Sequence, residues 1–230
     1  MNNPIISVVI PLYNKAAHIL AAINSVVGQS FPALEIVVVD DGSTDKGVRL
    51  IEEQYSSMEI PLRLIKQRNQ GVSVARNRDV EEAQGDFVAF LDADDVWLPL
   101  FLEEMVNLIT LFPETGFYAS RYQCQAENDT YIDANINMQL LAQNGFDPYG
   151  MLIKNYFEVA AEGDLPFMIS STVISKNLFN EIGGFPLGEK IGEDQDFFAR
   201  VALSGDMAYS PNINLLYNTV ADNKATQQYV

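Results

Sequence analysis

The segment Phe87–Trp97, FVAFLDADDVW, is the strongest indicator of the fold of this chain. It is an apolar run that ends abruptly in three carboxylates, Asp92, Asp94 and Asp95. A short apolar run of this kind, placed after Gly85-Asp86, predicts a buried β-strand. The carboxyl end of such a strand is where an open α/β sheet usually places its ligand site. Because like charges this close repel, they indicate a cation, or a cation with its phosphate ligand, between them.

A second acidic strand end occurs earlier in the chain. The motif EIVVVDDGSTD contains a predicted strand, Ile36–Val39, that is followed by Asp40, Asp41 and Asp45. Two acidic strand ends in one domain predict a metal-assisted site for a phosphorylated ligand. The side chain of Asp40 is expected to cap a turn and that of Asp45 to cap a helix. Asp95 has two open roles, either a cap of the helix that follows it or a ligand.

Composition restricts the class of protein. The 230 residues fit one large domain, and a hydrophobic content of 48% supplies ample core. A net charge of −17 argues against a nucleic-acid partner and against unassisted binding to anionic lipid. The single cysteine, Cys124, cannot form an internal disulfide, which fits a reducing compartment. With no secretion signal and no apolar run near 18 residues, the chain is expected to be cytoplasmic without a transmembrane segment.

Strand and helix patterns alternate over the first 120 residues. The predicted strands of this half are Ile5–Ile10, Leu34–Val39, Leu62–Lys66, Phe87–Leu91 and Gly116–Tyr122. The predicted helices are Lys15–Val27, a helix through Ile51 and Tyr55, Gly71–Ala83 and Leu98–Phe112. The second half is predicted to add strands Met168–Ile174 and Ile213–Tyr217 and helices Lys176–Ile182 and Glu193–Leu203. This order predicts an α/β fold, with a mainly parallel central sheet and helices on both faces.

Several motifs in matching order resemble family 2 glycosyltransferases. These motifs are SVVIPLYNK, VVVDDGSTD, GVSVARN and FLDADD, followed downstream by EIGGF and GEDQDFFAR. The resemblance covers roughly residues 5–205 and implies the GT-A fold, with a Rossmann-like central sheet. It implies one domain over 1–230, with a nucleotide-sugar-binding half (1–122) and an acceptor-binding half (123–230).

The resemblance also implies a set of donor-site residues. Pro11 and Tyr13 would line the uracil and ribose pocket, and Asp41 would accept a hydrogen bond from the uracil N–H. Arg76 would lie near the nucleotide, where its guanidinium could contact base or phosphate. Asp92 would contact the ribose or the shell of a bound metal ion.

Further roles follow from the same resemblance. Asp94 would bind Mn²⁺ or Mg²⁺ directly, and the ion would stabilise the departing diphosphate. Asp194 matches the catalytic base that removes the proton of the acceptor hydroxyl. On the acceptor side, Gly184 would let the backbone approach, Phe185 would offer a surface to a sugar ring, and Glu193 would raise the pKa of Asp194.

The implied activity is inverting, metal-dependent transfer of one sugar from a nucleotide-diphosphate sugar. The expected donor is UDP-linked, and the expected acceptor is a hydroxyl of a glycan or glycolipid precursor, through which peripheral membrane contact is possible. The only tryptophan is Trp97, so the Q-x-x-R-W motif of processive members is absent. No histidine follows His18, so the metal would be held by Asp94, diphosphate and water. Two alternatives remain open: a non-catalytic nucleotide-sugar or glycan sensor of the same fold, and a phosphohydrolase of the haloacid dehalogenase type.

Overall fold

The computed structural model describes residues 3–54, 60–126, 130–145, 147–189 and 191–221. Within these ranges the strands are β1 (Ile6–Leu12), β2 (Glu35–Asp40), β3 (Leu62–Lys66), β4 (Phe87–Phe90), β5 (Val96–Trp97), β6 (Phe117–Gln125), β7 (Tyr131–Asp133), β8 (Met151–Ile153), β9 (Thr172–Ser175) and β10 (Met207–Asn218). The α-helices are α1 (Ile19–Val27), α2 (Gly47–Gln54), α3 (Val72–Glu82), α4 (Phe101–Leu111), α5 (Met138–Leu141), α6 (Tyr156–Ala161), α7 (Lys176–Ile182) and α8 (Glu193–Ser204).

The described strands form a single sheet. Its main path runs β3-β2-β1-β4-β9-β6-β10-β5, with β7 added to β6 and β8 added to β10. The first four strands are parallel to one another, as the alternating sequence pattern predicts. β9 runs antiparallel between β4 and β6, and β5 is antiparallel to β10. The α/β class is therefore confirmed, with a parallel first half and a mixed second half.

Burial explains why the central strands read as continuous apolar runs. All six residues of β2 are buried, because a parallel sheet is covered by helices on both faces. Helix α1 buries Ile19, Ala22, Ile23 and Val26, which lie on one face at the spacing of an amphipathic helix. These buried contacts hold the helices against the sheet. Because β1 to β4 are parallel, their carboxyl ends lie at the same edge of the sheet.

The predicted elements of the first half are confirmed with small changes at their ends. Helix α1 begins at Ile19 rather than Lys15, and α4 begins at Phe101 rather than Leu98, because a turn closed by the bond from the Phe101 N–H to the Leu98 C=O precedes it. Tyr55, the predicted end of the second helix, lies outside the described residues. In the second half, the predicted strand Met168–Ile174 is replaced by a 3-10 turn at Ile169–Ser171 and by β9.

The two predicted halves share the sheet. The boundary between residues 122 and 123 falls inside β6, which pairs with both β9 and β10. The two halves are therefore one structural unit, and their division into donor and acceptor sides stays a prediction. None of the helices in the described ranges has the length and apolar character needed to cross a membrane.

Candidate active site at the carboxyl ends of the strands

The acidic strand end after β4 has cations of the protein as its neighbours. Lys15 Nζ lies 2.7 Å from Asp94 Oδ2, and both side chains are nearly buried. Arg76 Nη2 donates to both oxygens of Asp92, at 2.7 and 3.0 Å. The charge that the sequence concentrates here is thus partly neutralised inside the fold. Sequence reasoning gave Lys15 no role, although a cation two residues after Tyr13 was a usable signal.

Asp95, the third carboxylate, is a structural residue and does not cap a helix. It is 1% exposed, and it accepts hydrogen bonds from Ser170 Oγ at 2.5 Å and from the backbone N–H of Asn218 at 3.0 Å. Burial, with Asp94 and Asp92 nearby, raises the pKa of Asp95 well above its ordinary value. The expected capping role is wrong, because β5 separates Asp95 from α4.

Arg76 connects the strand end with the start of α8. Its side chain is 4% exposed, and Nη1 lies 3.0 Å from Glu193 Oε1. The guanidinium also lies over the ring of Phe185, 5.3 Å from its centroid. The described partners of Arg76 are therefore two carboxylates and an aromatic ring, and its contact with a nucleotide stays a prediction.

Asp194 lies in the first turn of α8, beside Glu193 and near Arg76. Burial raises the pKa of Asp194, the Arg76 cation opposes this change, and the charge of Glu193 adds to it. Burial also raises the pKa of Tyr156 to about 12, and the nearby charge of Asp194 contributes. A carboxylate with a raised pKa is better suited to accept a proton near neutral pH.

Tyr217 is a second residue, after Lys15, to which sequence reasoning gave no role. It lies near the end of β10, and burial together with Asp95, Asp92, Asp94 and Asp194 raises its pKa. Its phenol thus lies near the same carboxylates that the sequence pattern placed at the site. No local pattern marks Tyr217, because its sequence context is that of an ordinary strand.

The residues predicted to bind the nucleotide lie at the ends of β1 and β2. The ring of Tyr13 is exposed, at 41%, and Pro11 beside it is half-buried. Asp41 is buried, and its Oδ1 accepts from Gln67 Nε2 at 2.8 Å while its Oδ2 accepts from the Gly71 N–H at 2.8 Å. Asp41 therefore fixes the loop that leads into α3, and its contact with uracil stays a prediction.

Two neighbouring carboxylates have the structural roles that their positions predict. Asp40 Oδ1 accepts from the Ser43 N–H at 3.0 Å, which closes a turn. Asp45 accepts from the Gly47 N–H at 2.9 Å at the start of α2, and from the Ala16 N–H at 2.8 Å. The second contact ties the loop before α1 to the loop before α2.

Phe185 corrects the expected acceptor surface. Its ring is 1% exposed and is stacked on Phe197, with 4.2 Å between centroids. It therefore belongs to an aromatic core under α8 and cannot present a face to a sugar, because burial of a large apolar ring is favourable. Gly184 has φ +67°, and Asn77 binds both the N–H and the C=O of Phe185, at 2.8 and 3.0 Å. Gly184 thus serves a tight helix end, and an approach of its backbone to the acceptor stays a prediction.

The side chains at this site could hold a hard divalent cation only together with oxygen atoms of a bound phosphate or of water. No group of three or more His, Cys, Asp or Glu side chains in the described ranges is arranged to hold a metal ion. Asp94 supplies carboxylate oxygens of the kind that Mg²⁺ and Mn²⁺ prefer. Asp92 is engaged by Arg76. The residues present therefore fit an ion held by Asp94 together with phosphate and water oxygens.

Comparison with known proteins gives a family match and several relatives. The sequence model described as Glycosyl transferase family 2 matches residues 7–170. A Bacillus subtilis protein, TuaG, provisionally described as a teichuronic acid biosynthesis glycosyltransferase, is 37% identical over 135 residues, which cover 58% of this chain and 53% of TuaG. YibD of Escherichia coli, an uncharacterized glycosyltransferase, is 43% identical over 103 residues, covering 45% of this chain and 30% of YibD. The matched regions thus span about half or less of these relatives.

A solved structure supports the fold. Staphylococcus aureus TarS 1-349 in complex with UDP-GlcNAc has a TM-score of 0.73 and 22% sequence identity. The superposition covers 98% of this chain and 62% of the TarS chain. At this identity the likeness establishes the architecture alone.

Proposed function

The chain belongs to glycosyltransferase family 2, and on that premise we propose that it transfers one sugar from a UDP-linked donor to an acceptor hydroxyl. The proposed transfer inverts the anomeric carbon and depends on Mn²⁺ or Mg²⁺. The acceptor is a glycan or a glycolipid precursor. The haloacid dehalogenase alternative loses its support, because it requires the D-x-D strand to come first, whereas β4 is the fourth strand of the chain.

One observation carries the proposal. Arg76 bridges Asp92, at the end of β4, and Glu193, at the start of α8, although these carboxylates are far apart in the sequence. The bridge places the neighbours of these residues, Asp94 and Asp194, in the same region of the molecule. A donor-binding carboxylate and a base on one site are what single-displacement sugar transfer requires.

The chain's own residues divide the chemical work. Asp194 accepts the proton of the acceptor hydroxyl as that oxygen attacks the anomeric carbon, and its raised pKa favours this role. Tyr13 and Asp41 position the uracil ring of the donor, and Asp94 positions its diphosphate. An ion bound at Asp94 supplies Lewis-acid stabilisation of the leaving UDP.

The choice of UDP rests on the structural neighbours. TarS has been solved in complex with UDP-GlcNAc and with UDP, and both structures share the fold of this chain. The exposed ring of Tyr13 at the end of β1 offers a face on which a base can stack.

The test compares Asp194→Asn with Asp196→Asn. Asp196 lies two residues further along α8, on roughly the opposite side of the helix. It is exposed, and its carboxylate pairs with Arg200 at 2.7 Å. Calorimetry with UDP and Mn²⁺ measures donor-site binding, and UDP release from UDP-sugars, with and without a pool of glycan and lipid-linked acceptors, measures turnover. We expect Asp194→Asn to keep UDP binding and to lose turnover by a factor of about 10² to 10⁴.

Three outcomes would contradict parts of the proposal. Full turnover in Asp194→Asn would refute the assignment of the base. Equal losses in Asp194→Asn and Asp196→Asn would point to a general effect on α8. UDP binding by the unmodified chain without any turnover would favour the non-catalytic sensor.

A further inference from the structure

We propose that Lys15 is an exchangeable counter-ion of the donor site, which holds Asp94 in the free protein and must leave it before a divalent cation can bind. Metal and nucleotide would then bind strongly only together. The inference rests on the proposed function, because it takes Asp94 as the metal ligand. It adds a residue and an order of binding that the family membership does not supply.

The backbone around Lys15 is held firmly in place. Asn14 has φ +52°, in the left-handed region, and its N–H donates to Ser43 Oγ at 3.0 Å. On the other side, the Ala16 N–H donates to Asp45 Oδ2 at 2.8 Å. Since both neighbours are fixed to the loop before α2, Lys15 is presented to Asp94 by a prearranged backbone, and a change of partner would require movement of its side chain alone.

The ion pair between Lys15 and Asp94 is partly desolvated. The atoms Nζ and Oδ2 are 2.7 Å apart, and the side chains are 11% and 12% exposed. Charges in such surroundings interact more strongly than charges in water, and each depends on the other for compensation. Asp94 in the free protein is therefore already occupied by a cation.

A divalent cation and the ammonium group compete for this carboxylate. Mg²⁺ binds carboxylate oxygen at about 2.0–2.1 Å, so an ion on Asp94 would come within a few ångströms of Nζ at its present place. Two cations that close, with a total charge of about +3, repel unless further negative charge arrives. A diphosphate brings that charge, and it also gives the displaced ammonium a new partner.

The other cation of the site is not free to exchange in the same way. Arg76 is held by Asp92, Glu193 and the ring of Phe185, and its side chain is 4% exposed. Lys15 has a flexible four-carbon stem and a compact charge, which makes it the better exchanging group. The structure thus pairs a fixed cation on Asp92 with an exchangeable one on Asp94.

The experiment is a binding cycle with Mn²⁺ and UDP. Electron paramagnetic resonance measures the concentration of free Mn²⁺ in titrations of the full chain, with and without saturating UDP. The variants are Lys15→Met, Lys15→Arg and the control Lys66→Met, whose lysine is exposed and pairs with Glu52 at 2.7 Å. Circular dichroism and thermal melts confirm that each variant is folded.

For the unmodified chain we expect weak binding of Mn²⁺ alone and at least tenfold tighter binding with UDP present. Lys15→Met should bind Mn²⁺ alone at least tenfold more tightly than the unmodified chain, and the gain from UDP should shrink. Lys66→Met should behave like the unmodified chain. Lys15→Arg should bind Mn²⁺ alone no more tightly than the unmodified chain, because a cation still occupies Asp94, and its gain from UDP should be smaller, because a guanidinium leaves a carboxylate less readily. A further variant, Asp94→Asn, should bind little Mn²⁺ with or without UDP, because the metal-binding carboxylate itself is lost.

Unchanged Mn²⁺ affinity in folded Lys15→Met would overturn the inference, and so would an equal gain in Lys66→Met. If Lys15→Met fails to fold, Lys15→Gln provides the same comparison with a polar side chain. Failure of the donor-site assignment reads differently, since the unmodified chain would then bind neither UDP nor UDP with Mn²⁺, whereas a failure of transfer alone appears only in the turnover assay. In that case the Mn²⁺ titration without nucleotide still decides whether Lys15 blocks Asp94.

Discussion

Replacing Arg76 by methionine is expected to cost a large part of the stability of the fold. Arg76 is 3% exposed and is the common partner of Asp92 and Glu193, which are themselves mostly buried. Removing one member of a buried ion pair typically costs 3–5 kcal/mol, because the remaining charge is left without compensation. Since about a quarter of the Asp92 side chain still reaches solvent, we expect about 3 kcal/mol, near the lower end of that range.

Urea unfolding at pH 7, followed by tryptophan fluorescence, measures this loss. The only tryptophan, Trp97, is buried against Phe101 and therefore reports on the core. Arg49→Met is the matched control, because Arg49 makes an exposed pair with Glu53. We expect no measurable change in that variant, since exposed pairs contribute little.

A compensated variant separates charge from packing. In Arg76→Met combined with Asp92→Asn and Glu193→Gln, the two carboxylates that pair directly with Arg76 are neutral, so part of the lost stability should return. The return should be incomplete, because Asp79 and Asp194 also lose the nearby Arg76 cation. A loss below about 1 kcal/mol in the single variant would refute the reasoning, given the size expected for a buried pair. A combined variant no more stable than the single one would show that packing on Phe185, rather than charge, carries the effect.

Two further substitutions test burial and backbone geometry. Burial raises the pKa of Asp79 well above its ordinary value although the Arg76 cation opposes it, so the folded state binds this proton more tightly than the unfolded state. The free energy of unfolding should therefore fall as pH rises from about 4, the pKa of an unfolded carboxyl. In urea unfolding at pH 5 and pH 8, Asp79→Asn should lose less stability between the two pH values than the unmodified chain. An equal loss in both proteins would contradict this. Gly184→Ala would put a Cβ 2.7 Å from Asn77 Oδ1, whereas one at Gly183 meets open space, and both glycines have positive φ. Gly184→Ala should therefore destabilise by about 1–3 kcal/mol more than Gly183→Ala, and equal melting temperatures would contradict this.

The sequence predicted the parallel half of the fold well. Apolar runs that end in Asp40 and Asp92 marked β2 and β4, and both strands are observed within a residue or two of their predicted ends. This works because a buried parallel strand needs a continuous apolar run, which is visible locally. The short antiparallel strands were harder, since β5, β7 and β8 have two or three residues each.

The candidate site was predicted in its residues but not in their partners. Asp94 and Asp194 could be named from motifs, whereas the pairing of Lys15 with Asp94 joins residues 79 positions apart. Phe185 was wrongly assigned to a surface, because an aromatic residue after two glycines gives no local sign of burial. Ser170, which binds both Asp95 and the backbone N–H of Asp92, likewise carries no motif.

The order of residues alone sets where negative charge accumulates in this protein, because carboxylates that follow buried parallel strands lie at the carboxyl edge of the sheet. How each charge is compensated depends on the folded structure. Asp94 is held by Lys15, Asp92 by Arg76, and Asp95 by neutral hydrogen bonds from β10 and Ser170. These differences depend on which strands become neighbours and which side chains lose their water, and both are properties of packing across the whole sheet.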